Sequence, residues 1–214
     1  GDNMLEIYGP IGLKRWIEVT LETTMTHLAY PYVVHEIEKD GLLCETDQFY
    51  VYAYELERVI PSYGFRVEQK EQLGALLVDK VIEAKVPRGP LYRALKEGKD
   101  VQLPDGTVVR SEDVTAPKQK GFVVTICGDT RYSKKSIQAA RQADVLIHEG
   151  TFEASMKDLA YQYGHSSFED AAYVASEAKA KHLIVTHISA RFDQEDLVLL
   201  RKEGERHFQP LYIA

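Results

Sequence analysis

Three apolar runs in this chain end in side chains that bind metals or move protons. They are Phe122-Val123-Val124-Thr125-Ile126-Cys127-Gly128-Asp129, Val145-Leu146-Ile147-His148-Glu149 and Leu183-Ile184-Val185-Thr186-His187. Each reads as a buried strand. In open α/β sheets ligands bind beyond the carboxyl ends of strands, so Asp129, His148, Glu149 and His187 are expected to share one crevice. A carboxylate able to bridge two cations, with imidazoles around it, suits zinc- or manganese-assisted hydrolysis. Taken singly, each residue has a plainer reading: Asp129 can close an Asx turn, and His148 or His187 can be a hydrogen-bonded histidine at a strand end. The joint pattern points to a site. His165 precedes Ser166-Ser167-Phe168-Glu169, which has capping-box spacing. It is either an imidazole beside a helix N-terminus or a proton donor or phosphate contact aided by that helix's positive end. Gly164-His165-Ser166-Ser167-Phe168 lacks the second glycine of a GxSxG nucleophile elbow, so serine hydrolase chemistry is not expected.

The elements that must position these residues alternate along the second half of the chain. A strand over Phe122 to Cys127 precedes a helix from Ser133 to Arg141 and a strand over Val145 to His148. Helices after Thr151 and after Ser166, a strand over His182 to Thr186 and a helix from Gln194 complete an α/β pattern. Earlier, Glu6 to Pro10 reads as a strand stopped by Gly9-Pro10, and Leu13, Trp16, Ile17, Leu21 and Met25 recur at helical spacing. Tyr32 to Glu38, Gln48 to Leu56 and Tyr63 to Glu68 are rich in β-branched and aromatic residues and read as a run of mostly antiparallel strands. Between about Leu73 and Lys120 the pattern changes to two short helical stretches, a Pro87-Arg88-Gly89-Pro90 break and a hairpin around Pro104-Asp105-Gly106, which fits a protruding insertion.

Composition allows one globular domain: the 214 residues are 44% hydrophobic and 28% charged, with a net charge of −7. That acidic balance argues against a nucleic-acid partner, but its distribution does not. Lys80, Lys85, Arg88, Arg93, Lys96 and Lys99 face only Glu83 and Glu97 in the same stretch, a basic island on an acidic body. On charge alone this is equally a solvated helical face. No apolar run of about 18 residues and no signal-peptide pattern is seen, so a cytoplasmic protein without membrane association is expected. Cys44 and Cys127 show no metal-ligand spacing and are both expected to be buried hydrophobes.

Several segments together resemble the ribonuclease Z family, the metallo-β-lactamase-fold endonucleases that trim tRNA precursors at their 3′ ends. They are Phe122 to Arg131, Asp144 to Phe152, Gly164-His165-Ser166-Ser167 and Thr186-His187-Ile188-Ser189-Ala190-Arg191, in that order. Tyr8-Gly9-Pro10-Ile11-Gly12, Pro61 to Arg66, and Gly89-Pro90 followed by Leu95 and Gly98 fit as well. The match is to the C-terminal two-thirds of the family. It implies an α/β fold of the α+β type: a single domain over 1–214 forming a metallo-β-lactamase-like αββα sandwich, its N-terminal part absent, with a flexible exosite arm inserted at 73–120. It implies two Zn2+ ions, with Mn2+ or Mg2+ as substitutes, Asp129 bridging them and His187 binding one. His165 is implied as proton donor, with Glu149 and Arg191 as supporting charges. His148, Thr151, Ser166 and Ser167 would place the RNA 3′ end and scissile phosphate. The basic island, with Lys85, Arg88, Gly89, Pro90, Arg93 and Lys96, would grip precursor tRNA. A homodimer is also implied.

Two departures qualify that expectation. The family's His-x-His-x-Asp-His motif, which supplies most ligands and lies upstream of the strand matching Ile7-Tyr8-Gly9, is not among these residues, so a dinuclear site needs groups from elsewhere. A sheet edge and apolar face left open by its absence would favour association. Arg58 stands where the family has a histidine ligand, and a guanidinium, always protonated, cannot coordinate zinc. The expected function is a zinc-dependent endoribonuclease removing tRNA 3′ trailers by means of a metal-activated water. The alternatives are a catalytically impaired RNA-binding homologue and a small-phosphodiester or thioester hydrolase of the same fold.

Overall fold

The computed structural model describes residues 4–214. It opens with strand β1 (Leu5–Pro10), helix α1 (Leu13–Thr23) and strand β2 (Tyr32–Ile37). β1 and β2 pair in parallel, Ile7 opposite Val34, as a separate two-stranded sheet. The expectation that Tyr32 to Glu38 joins an antiparallel run is therefore corrected: a strand returning after a helical crossover lies parallel to its predecessor. No residue of α1 is buried. Ile11, Trp16, Val19 and Met25, on and beside it, are exposed.

Next come β3 (Gly41–Glu45), β4 (Phe49–Glu55) and β5 (Tyr63–Gln69). β3 was not read from sequence, because a register shift between Leu42 and Cys44 breaks its alternation. The chain then forms a compact unit of its own over Gln69–Gly121. It contains α2 (Val78–Glu83), α3 (Pro90–Lys96), the β6 (Val101–Gln102) and β7 (Val108–Val109) hairpin, and α4 (Ser111–Val114). Val81, Val86, Leu95, Val101, Leu103, Val109 and Val114 make its core. Its two ends are tied by reciprocal backbone bonds between Gln72 and Gln119. There Gly74 lies so close to the Ala116 carbonyl that a Cβ would fall 1.8 Å from its oxygen. Lys80, Lys85, Arg88, Arg93 and Lys96 are exposed on α2, α3 and the turn between them.

The remaining elements are β8 (Val123–Cys127), α5 (Lys134–Ala140), β9 (Val145–Glu149), α6 (Lys157–Tyr163), α7 (Phe168–Ala178), β10 (His182–Thr186), α8 (Gln194–Glu205) and β11 (Leu211–Ile213). They complete a seven-stranded sheet in the order β11-β10-β9-β8-β5-β4-β3. β8 to β11 are mutually parallel, and β5 meets β8 antiparallel. α7 is the core helix, packing against α5, α8, β9 and β10. Its alanines 171, 172, 175 and 178 let it approach the sheet closely, and Phe168, Val174, Leu146, Leu183 and Leu200 fill the space between. Gly150 belongs to the same contact: a Cβ there would lie 2.5 Å from Val185 Cγ1.

Two further expectations change. Cys127 is buried, but Cys44 is only partly so. The capping box at α7 uses Ser167 and Asp170, one residue later than the spacing of Ser166 and Glu169 predicts.

Candidate metal centre

Parallel β8, β9 and β10 bring their carboxyl ends to one edge, and Asp129, Glu149 and His187 arrive there in adjacent positions. His165 reaches the same place from another direction. α6 ends at Gly164 in the left-handed region (φ 77), and His165 is held by its N–H donating to the Ala160 carbonyl at 2.8 Å.

Glu149, 1% exposed, is the anchor below the site. Its Oε1 accepts from the Thr130 backbone N–H at 2.9 Å and from His165 Nδ1 at 2.9 Å. Its Oε2 accepts from the Thr151 hydroxyl at 2.6 Å and the Thr151 N–H at 3.3 Å. A carboxylate so buried needs such donors to offset its lost hydration. With Nδ1 of His165 committed to Glu149, Nε2 is the ring's lone-pair nitrogen, and Arg58 Nη1 lies 3.3 Å from it. His165 and His187 stack with ring centroids 5.4 Å apart. His187 has φ 54, a backbone conformation costing roughly 1–3 kcal/mol for a non-glycine residue, which the contact of its ring with the Thr151 hydroxyl helps to hold.

Asp129 faces two ways. Its Oδ1 is 3.6 Å from His187 Nδ1, and its Oδ2 pairs with Arg58 Nη2 at 3.0 Å. Asp129, His165 and His187 each offer one ligand atom, and these atoms lie within 4.8 Å of one another. One carboxylate and two imidazoles suit a divalent transition ion, and the set fits one such ion. From the sequence His165 is expected as a proton donor or phosphate contact and not as a metal ligand; its approach to Asp129 and His187 is a tertiary feature.

The other predicted residues divide by burial. His148 is fully buried, so it cannot touch an RNA 3′ end in this conformation; its Nδ1 donates to the Glu149 carbonyl at 2.7 Å. Burial depresses the His148 pKa, against the opposing pull of that hydrogen bond and of the Glu149 and Asp170 charges. Ser166 and Ser167 are also fully buried: Ser166 donates to the Thr130 carbonyl at 2.6 Å and Ser167 caps α7. Thr151 sits between Glu149 and His187. Arg191 is directed elsewhere, toward Ser189 Oγ at 3.0 Å and the Phe152 ring. Thr130, which supports Glu149 and Ser166, was not identified from the sequence, where nothing distinguishes it from any threonine in a turn.

The sheet, its flanking helices and the strand-end cluster define the class. A metallo-beta-lactamase fold protein of Bacillus subtilis superposes with TM-score 0.59 at 19% identity over 99% of this chain and 63% of its own, and so shares the fold. Human tRNase Z, short form, superposes with TM-score 0.62 at 27% identity over 98% of this chain and 64% of its own. In sequence the chain is 44% identical along its whole length to ribonuclease Z of Bacillus cereus (strain B4264) and, equally, of Bacillus thuringiensis (strain Al Hakam), spanning 70% of each relative. No protein-family model matches it. The chain belongs to the ribonuclease Z family. Membership implies a divalent metal, and Asp129, His165 and His187 are a group able to hold one.

Proposed function

We propose that this chain is part of a metal-dependent endoribonuclease that removes the 3′ trailer of precursor tRNA in the cytoplasm, with zinc or manganese as the ion. The observation that carries this reading is the Asp129, His165 and His187 cluster standing over the buried Glu149. A divalent ion bound there supplies Lewis-acid polarisation of a phosphodiester and a water of lowered pKa. Glu149 orients His165 through Nδ1; with the ion held by Asp129 and His187, a proton carried at His165 Nε2 can pass to the leaving 3′ oxygen. Thr151 holds His187 and Glu149 in register.

The Gln69–Gly121 unit is read as the tRNA-gripping arm. Support comes from its own core and from the exposed Lys85, Arg88, Arg93 and Lys96, positive groups of the kind that contact phosphates. The homodimer implied by the resemblance belongs to this reading, and the exposed apolar side chains around α1 support a covered face.

The test is trailer removal from a precursor tRNA by the natural-length protein with Zn2+ or Mn2+. Cleavage is expected with metal and not with chelator. Changing Lys85, Arg88, Arg93 and Lys96 together to Ala is expected to weaken precursor binding and flatten its salt dependence, each lost phosphate contact lowering the slope by roughly 0.7–0.9. No cleavage with any divalent ion overturns the activity, and unchanged binding by the quadruple variant overturns the arm.

A further inference from the structure

Arg58 lies inside the metal centre, not at its rim. Its side chain is 15% exposed. Nη2 pairs with Asp129 Oδ2 at 3.0 Å, Nη1 donates to the Gly164 carbonyl at 2.9 Å, and Nη1 is 3.3 Å from both ring nitrogens of His165. The guanidinium thus stands where three electron-rich groups converge, the environment a bound cation has.

The surroundings are shaped to it. The Arg131 N–H donates to the Glu57 carbonyl at 2.8 Å, and the Glu57 N–H donates to the Thr130 hydroxyl at 3.2 Å, which clamps the turn bearing Arg58. Gly164, in its left-handed conformation, passes so close that a Cβ there would be 3.2 Å from Arg58 Cγ. Arg58 is therefore held at both its backbone and its fork. A guanidinium remains protonated throughout the pH range of a folded protein and has no lone pair to donate. It occupies Asp129 Oδ2 with its own N–H groups and repels a second positive charge. Asp129 Oδ1, on the His187 side, is left for an ion.

We infer that the Arg58 guanidinium takes the place of one cation in this site, so that Asp129 Oδ1 and His187 are left to a single divalent ion instead of the pair that the resemblance implies. This rests on reading the cluster as a divalent-metal site. Arg58 then supplies a fixed positive charge that needs no metal and does not vary with metal supply.

The experiment counts Mn2+ in the natural-length protein by elemental mass spectrometry after equilibrium dialysis and records its electron paramagnetic resonance spectrum. The wild type is expected to hold one ion per chain with the spectrum of an isolated Mn2+. Arg58→His, which supplies a ligand in place of a cation, is expected to hold about two with an exchange-coupled spectrum, whereas Arg58→Lys stays at one. Two ions or a coupled spectrum in the wild type overturns the inference, as does a wild type that binds none. A folded Arg58→His protein that stays at one ion also overturns it. If that variant does not fold, the wild-type count decides alone. Two ions with trailer removal would remove Arg58 from this role and leave the processing reading standing; one ion without trailer removal would do the reverse.

Discussion

Thr151 carries one hydroxyl proton, yet four polar atoms crowd its oxygen: Glu149 Oε2 at 2.6 Å, the His187 carbonyl and Nδ1 each at 2.9 Å, and His165 Nδ1 at 3.3 Å. The proton goes to the nearest carboxylate oxygen. His187 Nδ1 then donates to the hydroxyl, which selects that tautomer and leaves Nε2 to accept or ligate. His148 poses the opposite problem. Its Nδ1 is satisfied, but among the described residues Nε2 has no partner, so a second proton there would meet no acceptor. Folding therefore favours neutral His148, whose pKa is held below the ordinary 6.5. The unfolded chain takes up that proton first as pH falls. The stability contribution is full above 6.5 and declines below it until the native imidazole also titrates. His148→Asn keeps a donor near the Glu149 carbonyl and removes the titration. Denaturant unfolding between pH 7 and 5 should show the wild type losing stability more steeply than the variant, by up to about 1.4 kcal/mol per pH unit. Equal slopes would show that His148 charges as readily folded as unfolded.

At the scale of elements, α7 shows why a motif can be legible while its register is not. Adjacent serines offer two capping frames. Ser166 is withdrawn because its hydroxyl donates to the Thr130 carbonyl, and Glu169 is engaged by His207 at 3.1 Å. Ser167 accepts from the Asp170 N–H at 3.1 Å, and Asp170 accepts in return from the Ser167 N–H at 3.0 Å. Ser167→Ala should cost about 1 kcal/mol of unfolding free energy by thermal or chemical denaturation. No loss would mean that the cap contributes nothing to a helix already held by Phe168 and the alanine face. Strand partners were equally beyond local reading: alternation in Tyr32–Ile37 announces a strand but not that β1 is its neighbour. Four-residue α4 and three-residue β11 are too short to display a period.

Across the whole molecule the two cysteines report on separate environments. Burial pushes the Cys127 thiol up to about 12, whereas Cys44 lies partly exposed on β3. A thiol reagent at pH 8 should modify Cys44 in the native protein and reach Cys127 only on unfolding; equal rates would mean that the core beside β8 opens readily. The strand-end residues, the alternation of helices and strands after β7 apart from α4 and β11, and the change of character after β5 were carried by the sequence itself, because apolar period and turn residues are local properties of the chain; that Arg58 stands in place of a ligand is what the family resemblance implies. What Arg58 does there was not legible in the sequence. That a guanidinium points inward to Asp129 and His165, that His165 joins a ligand group, that His148 and Ser166 lie beneath the site and that Arg191 turns away were decided by tertiary structure. These outcomes depend on which strand ends come together and on which buried donors and acceptors find one another, and both are long-range interactions that residue types and spacing do not encode locally.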